Sequence, residues 1–433
     1  MRFVVIYLVL AIIIYVRGIC PVIHDRRKRM WCLLAVLPGA FFPSVTRFIG
    51  GSMVAPDLPV WVMYAGSIFQ NFTLLVGILV IGREILSVPL RIIGLPFPYL
   101  GRSRIVAGTI LGLSVAFSCL GMFKAVISLE VVEQEVAGKG LPAELDGLRI
   151  AQLSDLHVSS VFTRDRVEEI VERTNALSPD LIALTGDFVD GTPEKRGYDL
   201  EPLKNLKAKY GVFGIEGNHE HYVDYDGWMR FMPTLGMTWL KNASVSVEIN
   251  GKTLSVIGLT DPMAQRYGRE LPDIVKASAA VPEQTSFRLL LSHQPKYAAL
   301  YAGKADLMLS GHTHGGQVLA LNPVVGKLNN GFIRGLYDVG DMKLYVNQGT
   351  DVWNGFLLRL GTVGEISLLT LKRAPETAVG TATQDKERTT WKIFDAKRMF
   401  IGSHRLRGPK CVGSAGSLSG QISALFRCRA QQR

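Results

Sequence analysis

The stretch Leu148-Arg-Ile-Ala-Gln-Leu-Ser-Asp-Leu-His157 decides the fold. Its apolar first half reads as a β-strand, and the strand empties directly into Asp155 and His157. A loop at a strand's C-terminal end is where α/β folds place their chemistry. Moving outward, the same grammar repeats. Thr163 is positioned to cap a helix running to about Leu177, which Pro179-Asp180 stops. Leu181–Leu184 is a second strand ending in Thr185-Gly-Asp187. A helix is expected around Leu200–Lys209, and Val212–Glu216 is a third strand ending in Gly217-Asn-His-Glu220. Strand and helix in alternation predict βαβ units with a parallel core.

The second half carries a helix near Tyr225–Leu235 and strands near Met237–Leu240, Ser244–Ile249 and Leu254–Leu259, the last two joined by the hairpin signal Asn250-Gly251. Ser286–Leu291 leads into Ser292-His293, and Ala305–Leu309 leads into Gly311-His-Thr-His314. Lys343–Val346 and Glu365–Leu371 are late strands. The sum is two β-layers flanked by helices.

The strand ends collect Asp155, His157, Asp187, Asn218, His219, His293, His312 and His314, which include five of the eight histidines in the chain. Carboxylate, amide oxygen and imidazole, with no thiolate, suit a pair of divalent ions such as Mn, Fe or Zn. Ions about 3.5–4 Å apart are a common device for hydrolysing phosphate esters.

In order and spread, Asp155-x-His157, Gly186-Asp187, Gly217-Asn-His219, His293 and Gly311-His-x-His314 resemble the calcineurin-like metallophosphoesterase superfamily. Gly315-Gly-Gln317 and the ending Leu357-Leu-Arg-Leu-Gly361 resemble its membrane-associated bacterial branch, which includes proteins acting on lipid-linked sugar nucleotides. The resemblance implies a four-layer α-β-β-α sandwich. It implies that Asp155, His157, Asp187 and His314 hold one metal, that Asp187, Asn218, His293 and His312 hold a second, and that Asp187 bridges. His219 resembles the family's non-ligand histidine, which gives a proton to the leaving group or steadies the transition state. Two departures stand out: Glu220 follows Gly-Asn-His where the family often has Asp, and the turn near the C-terminus is Gln348-Gly-Thr-Asp351 rather than glycine-rich.

Residues 1–128 are strongly apolar. Phe3–Val16 is a short first span, and it lacks the small-x-small site of a cleavable signal peptide. Met30–Pro43 is interrupted by Pro38, Gly39 and Pro43; Pro59–Gly82 and Ile105–Phe123 are better spans. The basic residues Arg26, Arg27, Lys28 and Arg29 lie in one loop and Arg83, Arg91, Arg102 and Arg104 in another. Four spans put both loops in the cytoplasm. The expectation is a multi-pass protein of the cell inner membrane, contacting lipid through these helices, with its catalytic domain (residues 129–373) outside the cytoplasm. Charged residues lie at the span ends, so the region reads as an anchor and not as a transport path.

Residues 374–433 hold 11 Lys/Arg against 4 Asp/Glu and supply +7 of the net +11. They read as a basic, disordered tail. With the charge concentrated there, no nucleic-acid partner is expected of the folded part. The five cysteines avoid residues 120–410 and form no Cys-x-x-Cys, so neither a zinc ribbon nor a disulfide framework is indicated. The expected activity is hydrolysis of a phosphate ester or pyrophosphate bond, on a lipid-linked or cell-envelope substrate. Two other readings stand beside it: a membrane sensor or scaffold that keeps a metal without turnover, and a nucleotide phosphodiesterase facing the cytoplasm.

Overall fold

The computed structural model describes residues 2–93, 101–138 and 140–374. The expected basic tail, from residue 375 on, lies outside them.

Four helices come first: α1 (Arg2–Ile13, continued by a π-helical turn to Ile19), α2 (Arg26–Phe48), α3 (Val60–Ile92) and α4 (Arg104–Ile127). The last three are long and apolar enough to cross a membrane, whereas Phe3–Ile19 is an apolar helix of shorter length. α2 does not break at its prolines; Pro38 and Pro43 both lie inside it. Thr73 of α3 donates to Val36 O at 3.2 Å, and Gly39 lets the two helices touch, since a Cβ there would lie 2.0 Å from Phe69 O.

Among the described residues twelve strands follow: β1 (Glu130–Gly138), β2 (Arg149–Leu153), β3 (Leu181–Thr185), β4 (Val212–Ile215), β5 (Thr238–Trp239), β6 (Ala243–Ile249), β7 (Lys252–Gly258), β8 (Phe287–Leu291), β9 (Leu307–Ser310), β10 (Gly335–Val339), β11 (Met342–Val346) and β12 (Glu365–Arg373). They form two six-stranded sheets, ordered β1-β12-β2-β3-β4-β5 and β10-β11-β9-β8-β7-β6. β2, β3, β4 and β5 run parallel in the first sheet, as do β7, β8, β9 and β11 in the second.

Side chains alternate across a strand, and this alternation builds two cores. Ile150, Leu181, Ala183 and Phe213 face the second sheet, meeting Leu254, Val256, Leu289 and Leu307. Ala151, Leu153, Ile182 and Leu184 face outward onto helix α5 (Arg164–Ala176) and Trp228. α5 buries Val167, Ile170, Val171 and Thr174, the i, i+3, i+4, i+7 stripe of an amphipathic helix. With both faces covered, Leu181–Thr185 is buried throughout.

The helix expected at Leu200–Lys209 lies earlier. α6 is Pro193–Leu200, started by Thr192 and by Pro193 at its first position, and only a 3₁₀ segment, Glu201–Asn205, follows. α7 (Tyr225–Phe231) begins at the Asp224 cap, whose carboxylate accepts from Gly227 N–H at 3.2 Å. Short helices such as Ile274–Ala277 and Ala298–Tyr301 accompany the second sheet and bury Ile274, Ala277, Ala298 and Tyr301. The architecture is the α/β sandwich expected, preceded by apolar helices.

Loop 352–360 packs directly against the helices. Asn71 of α3 donates to Leu357 O at 2.8 Å, and Arg359 N–H donates to Gly121 O of α4 at 2.9 Å. Phe3 stacks edge-on against Trp353 and Phe356.

Candidate metal centre

The parallel strands of both sheets end on one edge, and there the backbone turns sharply. Asp155, His157, Asp187, His312 and His314 all have φ between 46° and 72°. Such left-handed conformations are uncommon outside glycine and cluster at functional sites. Glycines make the turns possible. A Cβ on Gly311 would lie 2.0 Å from Ser154 Oγ and 2.2 Å from Asp155 Oδ2; one on Gly217 would lie 2.3 Å from Asp187 Oδ1.

All eight residues read from the strand ends meet here. Asp155, His157 and His314 form one group, and Asp187, His293 and His312 form another; within each, one ligand atom per residue lies within 4.8 Å of the others. In the first, His314 Nε2 is 3.3 Å from His157 Nε2 and 3.4 Å from Asp155 Oδ1. His157 Nε2 is 3.8 Å from both Asp155 Oδ1 and Asp187 Oδ2. In the second, His293 Nε2 is 3.1 Å from Asp187 Oδ2 and 3.2 Å from Asn218 Oδ1. Asp187 touches both groups.

Three of the four ligand rings are aimed from behind. His293 Nδ1 sits 2.7 Å from Thr185 O, His314 Nδ1 sits 3.2 Å from Asp351 O, and His157 Nδ1 sits 3.3 Å from Asp190 Oδ2. With Nδ1 donating, each Nε2 faces inward, where a bound cation would take the place of a proton, the arrangement typical of metal-binding histidines. Asp155, Asp187 and Asp190 are buried, and their ion pairs among the described residues are with histidines. Buried carboxylates without Lys or Arg, facing converging imidazole lone pairs, fit a cationic occupant. Burial first, then the charge of His293 for His312, pushes His312 and His314 down to about 3, which keeps both rings neutral and able to ligate. Burial works against the Asp187 carboxylate, but His293 and His219 outweigh it and hold its pKa well below the usual range.

His219 is held differently. Its Nδ1 lies 2.5 Å from Asp190 Oδ1, its backbone N–H donates to Asp187 Oδ1 at 2.7 Å, and its Nε2 stands 4.0 Å from Asp187 Oδ2. Burial lowers its pKa, but Asp187 and Asp190 overcome this and bring it to about 9.

Several supports are not evident from the strand-end pattern. Asp190, three residues after Asp187, orients both His157 and His219. Glu220 accepts from Gly217 N–H at 2.6 Å, Phe188 N–H at 2.7 Å and Asp187 N–H at 3.1 Å, tying two strand ends together. Burial and the Asp187 charge raise its pKa to about 7. Arg359, fully buried, donates to the carbonyls of Gln348, Gly349 and Asp351. Asp351 also takes Arg166 Nη2 at 2.8 Å. The site opens through a cleft of about 260 Å³, lined by Asp187, Asn218 and His219 on the chemical side and by Val325, Leu328 and Trp353 on the apolar side.

Residues 148–316 match the family model described as calcineurin-like phosphoesterase. A zebrafish (Danio rerio) relative, "Transmembrane protein with metallophosphoesterase domain", is 32% identical over 272 residues, covering 60% of this chain and 62% of its own length. A Helicobacter pylori relative named an uncharacterized metallophosphoesterase is 37% identical over 227 residues, covering 52% of this chain and 60% of its own. One from Bacillus subtilis with a similar name is 29% identical over 255 residues and matches over 86% of its length. The chain thus spans about three fifths of the length of the first relatives it matches (62%, 58% and 60%). Residues 148–316 therefore read as a calcineurin-like metallophosphoesterase domain.

Proposed function

We propose that the protein is a membrane-anchored, metal-dependent phosphoesterase, with residues 129–373 as its catalytic domain outside the cytoplasm of the inner membrane. It hydrolyses a phosphate ester or pyrophosphate bond in a lipid-linked or cell-envelope substrate. The observation that carries this reading is the pair of adjoining ligand groups, with Asp187 Oδ2 3.1 Å from His293 Nε2 in one and 3.8 Å from His157 Nε2 in the other, beside His219 held on Asp190.

Asp155, His157, Asp187 and His314 would hold one divalent ion, and Asp187, Asn218, His293 and His312 the other. Two divalent cations bound there supply activation of water and neutralisation of charge on the phosphoryl oxygens. The chain's own residues do the rest. Asp190 fixes His219 through Nδ1, which leaves Nε2–H facing the cleft. From there it protonates the departing oxygen, the work of a general acid. The basic loops around residues 26–29 and 83–104 support the orientation, and the helices keep the site near membrane substrates.

The test uses purified full-length protein and bis(p-nitrophenyl) phosphate. Hydrolysis should vanish on chelation, return with Mn²⁺, and be absent in Asp187→Asn at any metal concentration. Undiminished turnover after chelation, or in Asp187→Asn, would sink the mechanism. A sensor or scaffold would bind metal and show no turnover at all.

A further inference from the structure

The segment Leu319–Leu328 is an apolar helical stretch inside the catalytic domain. Lys327 is the only charge between His314 and Arg334. Its inner side belongs to the helical bundle: Val318 and Leu321 pack with Tyr7 and Leu10 of α1 and Leu74 of α3. Its outer side is bare. Leu319, Val324 and Leu328 are 51%, 58% and 70% exposed. Three large aliphatic side chains stand open within ten residues, Val324 and Leu328 on one face of the helix Asn322–Leu328, and exposed apolar groups so grouped mark an interaction surface.

Continuity with the membrane helices identifies what covers it. Leu319 N–H donates to Leu360 O at 3.1 Å, and Leu360 in turn lies against Gly121 of α4, where a Cβ would stand 3.1 Å from its Cγ. Gly121 is six residues before the end of α4, about 9 Å along the axis at 1.5 Å per residue. Asn71, bonded to Leu357 O, lies eleven residues into α3, about 16 Å. The loops that carry 319–328 are therefore sunk beside the spans, below the level at which those helices end. On the bundle, Phe117, Leu120 and Phe123 of α4 are likewise exposed apolar residues facing outward.

We propose that Leu319–Leu328 is seated in the headgroup–acyl boundary of the lipid bilayer. Leu319, Val324 and Leu328 enter the apolar layer, and Lys327 reaches lipid phosphates, as interfacial helices do. Val325 and Leu328 also line the metal cleft, so one wall of the site is a membrane-bound element and the cleft opens at headgroup level. A phosphate borne by a membrane amphiphile reaches the metals without leaving the bilayer.

The experiment is photo-crosslinking in the full chain reconstituted into phosphatidylglycerol/phosphatidylethanolamine nanodiscs. p-Benzoylphenylalanine replaces Val324, with Phe117 on the bundle and Val275, 55% exposed on the catalytic domain, as positive and negative controls. Mass spectrometry should find phospholipid adducts at 324 at a yield comparable to 117 and about tenfold above 275. Adducts at 324 no more abundant than at 275, or adducts between two copies of the chain instead, would overturn the proposal. The readout needs no turnover. If the soluble diester assay fails while lipid adducts form at 324, the hydrolase reading falls and the docking surface stands; the converse result separates them the other way.

Discussion

At the residue scale, the two histidines of Gly311-His-Thr-His314 serve neighbouring groups because the turn alternates between them. His314 faces Asp155 and His157, while His312 joins Asp187 and His293. The turn tolerates no side chain at Gly311, where a Cβ would meet both Ser154 and Asp155. Gly311→Ala should therefore lower bound metal from two ions towards one or none, as counted by inductively coupled plasma mass spectrometry on the purified protein; full occupancy would show that the turn can relax. His219 makes a separable contribution. His219→Gln should leave metal content unchanged and cut kcat by about 10²–10⁴. A parallel loss of metal would make it a ligand instead of an acid. Asp190 shows what strand-end reading cannot reach. It ligates nothing in either group and acts only through the rings it aims, and which ring a carboxylate aims is a fact of three-dimensional contact.

At the scale of elements, the parallel strands were legible because their runs are apolar and stop at polar clusters. β3 is buried over its whole length, and the sequence Leu181-Ile-Ala-Leu says as much. β1 was not legible. Glu130-Val-Val-Glu-Gln-Glu-Val-Ala-Gly138 is an acidic edge strand with only Val136 buried, and its order comes from pairing with β12. Helix α6 starts ahead of the expected Leu200–Lys209 because Thr192 and Pro193 set its first turn. The turn Gln348-Gly-Thr-Asp351 owes its shape to Arg359, whose guanidinium fills the space behind it and binds three carbonyls. Arg359→Met would strip Gln348 O of its guanidinium donors and leave Gly349 O and Asp351 O with only Glu365 N–H and His314 Nδ1, at about 1–3 kcal/mol for an acceptor not rescued by water. The expected outcome is a clear drop in the thermal unfolding midpoint of the detergent-solubilised protein, with metal affinity reduced through the His314–Asp351 contact. An unchanged midpoint would mean that water replaces the guanidinium.

At the scale of the molecule, the helices do more than hold the domain near lipid. Asn71 and Gly121 bind the backbone of loop 352–360, and Trp353 from that loop lines the metal cleft. Three of the four expected spans are long apolar helices, legible from hydropathy, and the first is shorter; the docking was not legible, because it pairs residues almost three hundred positions apart through backbone carbonyls that no sequence pattern marks. Asn71→Leu should preserve the spans, yet it removes the donor to Leu357 O. The expected result is faster protease cleavage within 352–360 in detergent, whereas an unchanged cleavage pattern would make the contact incidental. Orientation is tested on the same scale: protease added to intact spheroplasts should cut the catalytic domain, and cutting only after lysis would place it in the cytoplasm. The central claim is that Asp187 joins two metal ions. Electron paramagnetic resonance of the full-length protein loaded with two equivalents of Mn²⁺ tests it most directly. The expected spectrum is that of an exchange-coupled pair, lost in Asp187→Asn; an isolated six-line Mn²⁺ signal in the unaltered protein would contradict it.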